Sequence, residues 1–158
     1  MYNITSKFNN MKVLIVENDS NKYDQVKSFL IEELKIIETN ISIRKSYQSG
    51  LESILDNTYD FIILDMSIPT FDITEFDDGG NTLDRGGEII LQEMERENIS
   101  IPSIILTQYE DFDNVSLLEI DSNLKEEFEE FYLGCIYYNI SEENWKNELN
   151  NLYLKIEK

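Results

Sequence analysis

The chain is predicted to fold as a single α/β domain in which a parallel sheet is covered by helices on both faces. Short apolar runs rich in β-branched residues recur along the sequence, and longer segments with apolar residues at helical spacing alternate with them. The 158 residues, 41% of them hydrophobic, suffice for one buried core but not for several. Strands that alternate with helices favour a parallel sheet because each crossover places a helix on a sheet face.

Five segments have the pattern of strands. The first, third and fourth are continuous apolar runs, which are typical of strands buried on both faces. The second alternates apolar and polar residues and is expected to be more exposed. The segments are MKVLIVE (11–17), NISIRK (40–45), FIIL (61–64), IPSIIL (101–106) and CIYY (135–138).

Helices are predicted between and after these strands from apolar residues at helical spacing. The first carries a stripe that runs to Ile37, and the fourth is centred on the apolar residues of 124–132. The others are predicted over 47–57, from about Gly87, and from Ser141 to the end of the chain. Residues 1–10 are expected to be a flexible N-terminal extension, and 11–158 are expected to form the domain, with a loop inserted at about 70–86.

Charge and composition exclude several classes of function. The 32 acidic and 13 basic residues give a net charge of −19, which disfavours binding to nucleic acid or to a membrane surface. The chain has no histidine and a single cysteine, Cys135, so an internal disulfide, a catalytic pair with histidine and a histidine-ligated zinc site are excluded. The first residues lack the apolar core of a signal peptide, and we expect a cytoplasmic protein.

Polar residues follow the predicted strands at their carboxyl ends, where ligands bind in open parallel sheets. Asp65 ends the most apolar strand abruptly, Thr107 follows the fourth, and Tyr138 ends the fifth. The first strand ends in the run Glu17-Asn18-Asp19. A lone aspartate at such a position is often a turn residue or helix cap, and Asp19 could cap the first helix in any case. Several such residues at one edge favour a functional site instead.

The stretches VLIVEND, FIILDMSIP, ILT and GCIYY resemble the receiver domain of bacterial two-component response regulators, from about Met11 to the C-terminus. The resemblance implies a flavodoxin-like, doubly wound sheet with strand order 2-1-3-4-5. It implies that Asp65 accepts a phosphoryl group from a histidine kinase with the help of Mg²⁺, and that Thr107 contacts that group. The implied metal ligands are Glu17, Asp65 and the main-chain carbonyl of Ser67. Carboxylate and carbonyl oxygens are ligands that Mg²⁺ prefers.

The sequence departs from the receiver pattern at two positions. Asn18 stands where the family has a second acidic metal ligand, and it can still offer a neutral oxygen to the metal. Asp19, one place further on, is a further candidate ligand, and metal binding is expected to be weaker than in the family. Tyr138 stands where the family has a lysine whose ammonium pairs with the phosphoryl group. A tyrosine hydroxyl donates a hydrogen bond but carries no positive charge. One hypothesis is that Arg85, in the inserted loop, supplies that charge.

The inserted loop is long for a connection between elements, where about four to six residues are typical. Residues 70–85 contain five acids, one base and two glycines. Because the loop begins close to Asp65, it could cover the site or present a surface to a partner. A disordered surface insertion is the alternative.

The sequence therefore predicts a single-domain response regulator that is phosphorylated on Asp65, is not an enzyme, and signals through protein contacts. A histidine kinase or other signalling protein and a downstream protein are the expected partners, and a homodimer stays open. The alternative is a receiver-like adaptor (pseudo-receiver) that binds its partner without phosphorylation, which Asn18 and Tyr138 favour. A phosphatase with an aspartyl nucleophile is a third reading, disfavoured because Ser67 stands where such enzymes have a second aspartate.

Overall fold

The structure is a computed structural model that describes residues 9–157. In chain order the strands are β1 (Val13–Val16), β2 (Ile41–Arg44), β3 (Phe61–Leu64), β4 (Ile68–Pro69), β5 (Thr82–Leu83), β6 (Ser103–Thr107), β7 (Asp111–Phe112), β8 (Val115–Ser116) and β9 (Tyr132–Tyr137). Five of them form a parallel sheet in the order β2-β1-β3-β6-β9, which confirms the predicted fold class and strand order. The remaining strands form two antiparallel hairpins, β4-β5 and β7-β8.

The helices are α1 (Ser20–Glu32), α2 (Tyr47–Asp56), α3 (Gly86–Arg96), α4 (Leu117–Glu127) and α5 (Asn144–Glu157). Helices α1 and α5 pack on one face of the sheet, and α2, α3 and α4 pack on the other. Strands β1, β3 and β6 are buried along their whole length because both faces are covered, whereas the edge strand β2 is only partly buried, as predicted.

Three helix boundaries differ from the prediction. Helix α1 ends at Glu32 rather than near Ile37, and α5 begins at Asn144 rather than at Ser141. Helix α4 ends at Glu127, and Tyr132, which was assigned to that helix, is the first residue of β9. The amides of Phe131 and Tyr132 both donate to the carbonyl of Phe128, so a tight turn joins the helix to the strand.

The predicted N-terminal extension falls mainly on residues 1–8, which lie outside the described residues. Asn9 is already part of the fold: its amide donates to the Lys35 carbonyl at 2.8 Å, and it forms a bridge with Ile36. The carbonyl of Asn10 accepts a hydrogen bond from the Asn40 side chain. Across the described residues, none of the helices combines the length and apolar character needed to span a membrane.

The inserted segment predicted as a loop over 70–86 is built around the β4-β5 hairpin. The hydrogen bonding of the hairpin continues beyond the two strands, because the Thr70 amide donates to the Asn81 carbonyl at 3.0 Å. Gly79 and Gly80 have φ values of 92° and 70°, a left-handed conformation that glycine adopts without strain. Phe76, in the connecting loop, is 94% exposed. The segment therefore has a defined turn structure and presents an aromatic side chain to solvent.

Candidate functional site

Asp65 lies at the carboxyl end of β3, where the predicted site residues were expected to meet. Asp65 is only 7% exposed. Its amide donates a hydrogen bond to the Val16 carbonyl at 3.0 Å, which fixes its backbone to the end of β1. Its Oδ1 accepts a hydrogen bond from the Met66 amide at 2.8 Å. The first turn of α3 presses on the same backbone, since a Cβ on Gly87 would lie 2.5 Å from the Asp65 carbonyl oxygen. The backbone of Asp65 is therefore fixed by the end of β1 on one side and by the first turn of α3 on the other.

A buried lysine joins Asp65 at this edge of the sheet. Lys22, on α1, is 2% exposed, and its Nζ lies 3.3 Å from Oδ1 of Asp65 and 2.7 Å from Oε1 of Glu17. The same nitrogen donates a hydrogen bond to the Leu106 carbonyl at 2.6 Å. A single ammonium thus connects the ends of β1, β3 and β6. No other ion pair to Asp65 occurs within residues 9–157.

Local sequence explains how the lysine reaches this position. The Asp19 side chain caps α1 by accepting hydrogen bonds from the amides of Asn21 and Lys22, at 2.9 and 3.4 Å, as was considered for this residue. The helix therefore begins directly beyond β1, and Lys22 falls in its first turn. Lys22 also precedes the buried Val26 and Phe29 by four and seven residues, so it lies on the apolar stripe of the helix.

Lys22 was not singled out from the sequence, and Arg85 was suggested as one hypothesis for the missing charge. In the structure Arg85 pairs instead with Glu88, with Nε 2.7 Å from Oε1, at the start of α3. A signal for Lys22 was present in the sequence: it is a charged residue on the buried stripe of a helix, in a chain that has a strand-ending glutamate nearby. Buried charges of this kind are retained where they are paired.

Electrostatics at the site centre on Glu17, which the structure places close to Asp65, with Lys22 between them. Burial and the nearby charge of Asp65 raise the pKa of Glu17 from 4.5 to about 7, although Lys22 acts in the opposite direction. Its Oε2 accepts the Asp19 amide at 3.0 Å, while its Oε1 is buried and touches Lys22 without forming a well-aligned hydrogen bond. Burial is the larger cause, and because Asp65 shares the same ammonium, its negative charge adds to the rise in the pKa of Glu17.

Thr107 and Tyr138 lie at the ends of the neighbouring strands. Thr107 is fully buried, and its Oγ1 accepts the Tyr109 amide at 3.3 Å. Tyr138 donates its amide to the Thr107 carbonyl at 2.7 Å and is 4% exposed. The Lys22 ammonium lies 5.6 Å from the centre of the Tyr138 ring, within the range of a cation–π contact. Burial raises the pKa of the Tyr138 hydroxyl, which has no hydrogen-bond partner among the described residues.

The residues predicted to hold a metal are only partly brought together. Glu17 and Asp65 converge on one nitrogen, whereas Asn18 and Asp19 are exposed and Asp19 already serves as the cap of α1. In the described part of the chain no group of three or more acidic, cysteine or histidine side chains could hold a metal ion. The donors are oxygens, as Mg²⁺ requires, and two carboxylates match an ion that keeps several waters. The chemistry fits Mg²⁺, and the ammonium competes for the same carboxylates.

The inserted segment borders the site, but its Arg85 does not reach Asp65. A cavity of about 340 Å³ lies between the β4-β5 and β7-β8 hairpins. It is lined by Ser67, Thr82, Asp84, Tyr109, Asp111, Phe112 and Asp113. Ser67 is the residue whose carbonyl was predicted to bind metal, so the cavity opens next to the predicted metal site. Its walls include Thr82 and Asp84 of the inserted segment, for which covering the site was one of the roles considered.

A comparison with known proteins finds a relative that is named as a response regulatory protein. The chain is 26% identical over 145 residues to the Detocs response regulatory protein DtcB of Enterobacter cloacae (strain JD6301), covering 88% of this chain and 95% of that protein. No model of a protein family matches the chain.

Solved receiver domains share the fold. The receiver domain of the Francisella response regulator 1452 superposes with a TM-score of 0.56 at 23% identity, covering 92% of this chain and 98% of that one. The receiver domain of the sensor histidine kinase PA1611 of Pseudomonas aeruginosa PAO1, solved with a magnesium ion coordinated in its active-site cleft, gives 0.60 at 15% identity, covering 95% and 100%. The resemblance to response regulator receiver domains is thus confirmed as a shared fold.

Proposed function

We propose that this protein is a single-domain response regulator that accepts a phosphoryl group on Asp65 from a histidine kinase and signals through protein contacts. The observation that carries the proposal is the Asp65 carboxylate itself, which is nearly buried at the end of a central strand and oriented through Oδ1. Within residues 9–157 its second oxygen, Oδ2, has no protein partner and is the candidate nucleophile.

The reaction is a displacement at phosphorus. A carboxylate oxygen of Asp65 forms the new P–O bond while the bond from phosphorus to the kinase histidine nitrogen breaks, and that electron pair returns to the imidazole ring. The Met66 amide fixes the carboxylate, which reduces the orientational freedom lost in the transition state. Thr107, at the end of β6, is the hydroxyl residue proposed to contact the phosphoryl oxygens.

Mg²⁺ is the cofactor proposed for this site. When bound, it neutralises negative charge on the phosphoryl oxygens. The chain would hold it through Glu17, Asp65 and the Ser67 carbonyl, with Asn18 as a neutral oxygen donor. Asp19 is the weakest of the proposed ligands because its carboxylate caps α1. Weak binding follows from the Lys22 ammonium between the two buried carboxylates.

A receiver-like adaptor that acts without phosphorylation is the second candidate. The observation that favours it is that Lys22 already pairs with both carboxylates at the site and offsets part of their negative charge, as a bound metal would. In either case the partner is another protein, since the net charge of −19 repels nucleic acid and anionic membranes. The exposed Phe76 of the inserted segment is a contact point for such a partner. A homodimer is also compatible with this function.

Intact-mass analysis after incubation with Mg²⁺ and acetyl phosphate tests the proposal. The wild-type chain is expected to gain one phosphoryl group that hydroxylamine removes, as it does from acyl phosphates, and Asp65→Asn is expected to gain none. Asp60→Asn is the matched control, because Asp60 directly precedes the other end of the same strand and binds the Lys12 amide. Absence of a gain, together with no response of Trp145 fluorescence to beryllofluoride, would favour the adaptor.

A further inference from the structure

We propose that Lys22 supplies, from helix α1, the positive charge that receiver domains otherwise carry on a lysine after the last strand of the sheet. This inference rests on the proposed function of Asp65. In this chain that family position is Tyr138, so the charge has moved to a different element of the fold. Lys22 is then a catalytic residue that contacts the transferred phosphoryl group.

The placement of the ammonium supports this role. Its Nζ lies 3.3 Å from Oδ1 of Asp65, so a phosphoryl group attached to that carboxyl falls within its reach. Glu17 and the Leu106 carbonyl, at 2.7 and 2.6 Å, hold the nitrogen in place before the reaction. A charge that is already oriented in a buried site stabilises the transition state without the cost of reorganisation. Lys22 therefore meets the geometric requirement for a group that binds phosphoryl oxygens.

Tyr138 has the properties of a support for Lys22. Its ring lies 5.6 Å from the ammonium and packs on Trp145 with ring centres 5.3 Å apart. Its hydroxyl is buried without a hydrogen-bond partner in the described structure, so the contribution of Tyr138 comes from the ring face. An aromatic ring at this position fills the space of the family lysine and stabilises the cation that arrives from α1.

The chemical step needs no proton from Lys22. With acetyl phosphate, Asp65 forms the new P–O bond, the P–O bond of the donor breaks, and acetate leaves with the electron pair. The Lys22 ammonium then donates a hydrogen bond to a phosphoryl oxygen and gives up part of its ion pair with Glu17. This exchange of partners is favourable because the phosphoryl group carries more negative charge than the Glu17 carboxylate.

Removing the positive charge of Lys22 should lower the phosphorylation rate but raise the affinity for Mg²⁺. Ordinary structural damage would lower both. Lys22→Met is expected to slow phosphorylation by acetyl phosphate about 100-fold, as loss of one preorganised donor does. The same variant should bind Mg²⁺ at least about fivefold more tightly, because a competing cation has been removed. Trp145 is the only tryptophan and packs on Tyr138, so its fluorescence reports Mg²⁺ binding without any turnover. Lys27→Met, on the same helix, is the matched control.

A charge-relocation variant guards against a merely structural effect. Lys22→Met combined with Tyr138→Lys returns the lysine to the family position. This double variant should be phosphorylated at least about tenfold faster than Lys22→Met alone. Wild-type phosphorylation with an unchanged rate in Lys22→Met would overturn the inference while leaving the proposed function intact. The inference would also be overturned if Lys22→Met were phosphorylated more slowly but bound Mg²⁺ more weakly, and if the double variant did not restore the rate. Failure of the wild-type chain itself to be phosphorylated would instead reject the proposed function.

Discussion

Replacing Glu17 by glutamine is expected to change how the stability of the fold depends on pH. Glu17 is 4% exposed, and burial beside Asp65 raises the pKa of its carboxyl from 4.5 to about 7. A carboxyl that binds its proton more tightly in the folded chain than in the unfolded chain stabilises the fold at low pH. That contribution is complete below pH 4.5 and is lost as the pH rises through 7.

The size of the effect follows from the two pKa values. Each tenfold change in proton affinity corresponds to about 1.4 kcal/mol, so this carboxyl removes about 3 kcal/mol of unfolding free energy between low pH and about pH 8. Glutamine keeps the shape of Glu17 but does not titrate. The unfolding free energy of Glu17→Gln minus that of the wild type should therefore increase by about 3 kcal/mol over this range.

Urea unfolding at a series of pH values, followed by Trp145 fluorescence in the presence of EDTA, measures this difference. EDTA keeps metal binding from adding to the stability of either chain. Glu142→Gln, which removes an exposed carboxyl, is the control and should show no comparable trend. A difference that stays constant within about 1 kcal/mol, or that decreases as the pH rises, would refute the assignment of a raised pKa to Glu17.

Two further predictions concern other buried groups. Burial and the nearby Asp121 raise the pKa of the Cys135 thiol to about 12, so at pH 8 its alkylation by iodoacetamide should be about 1,000-fold slower in the folded than in the unfolded chain. Gly87→Ala should lower the unfolding free energy by about 1–3 kcal/mol and reduce phosphorylation, because the new Cβ would lie 2.5 Å from the Asp65 carbonyl oxygen. Thermal or urea unfolding and the intact-mass assay measure these effects.

Each of these has its own control. Unfolding in urea should restore normal reactivity to Cys135, and alkylation of the folded chain slowed by less than about tenfold would contradict the prediction. For the glycine, Gly134→Ala is the comparison, because its Cβ would meet the tip of the Leu152 side chain at 3.2 Å rather than backbone. Equal effects of the two substitutions on phosphorylation would show that close packing on Asp65 is not what matters at Gly87.

Much of the fold could be predicted because strands buried on both faces leave a strong pattern of apolar runs. Asp65 was singled out for the same reason, since a carboxylate that ends such an apolar run is conspicuous in the sequence. The boundary between α4 and β9 was missed because Phe128, Phe131 and Tyr132 have the spacing of a helical stripe. In the structure they line a tight turn, and Phe128 and Phe131 pack with ring centres 5.7 Å apart. Tertiary packing of aromatic rings here outweighs local periodicity.

The candidate site was predicted only for residues at strand ends. Glu17 and Thr107 could be placed because the chain leaves a parallel strand at a known edge of the sheet. For Lys22 the sequence indicates a charge on the apolar stripe of α1 but not its partners, since Leu106 is 84 residues away and accepts through its backbone carbonyl. Arg85 was suggested as the source of the missing positive charge because it belongs to the inserted segment. In the structure it pairs with Glu88, three residues further along the chain, and not with Asp65.

The contacts of Lys22 also have a consequence for the order in which the chain can fold. Its ammonium is compensated by Glu17 and Asp65 from the N-terminal half, and by Leu106 and the Tyr138 ring from the C-terminal half. A partly folded state made of the N-terminal half alone would lack the Leu106 carbonyl and the Tyr138 ring, so the ammonium would be without two of these four partners. Intermediates lacking β6 and β9 are disfavoured for this reason, so the two halves of the sheet are expected to form in one cooperative transition.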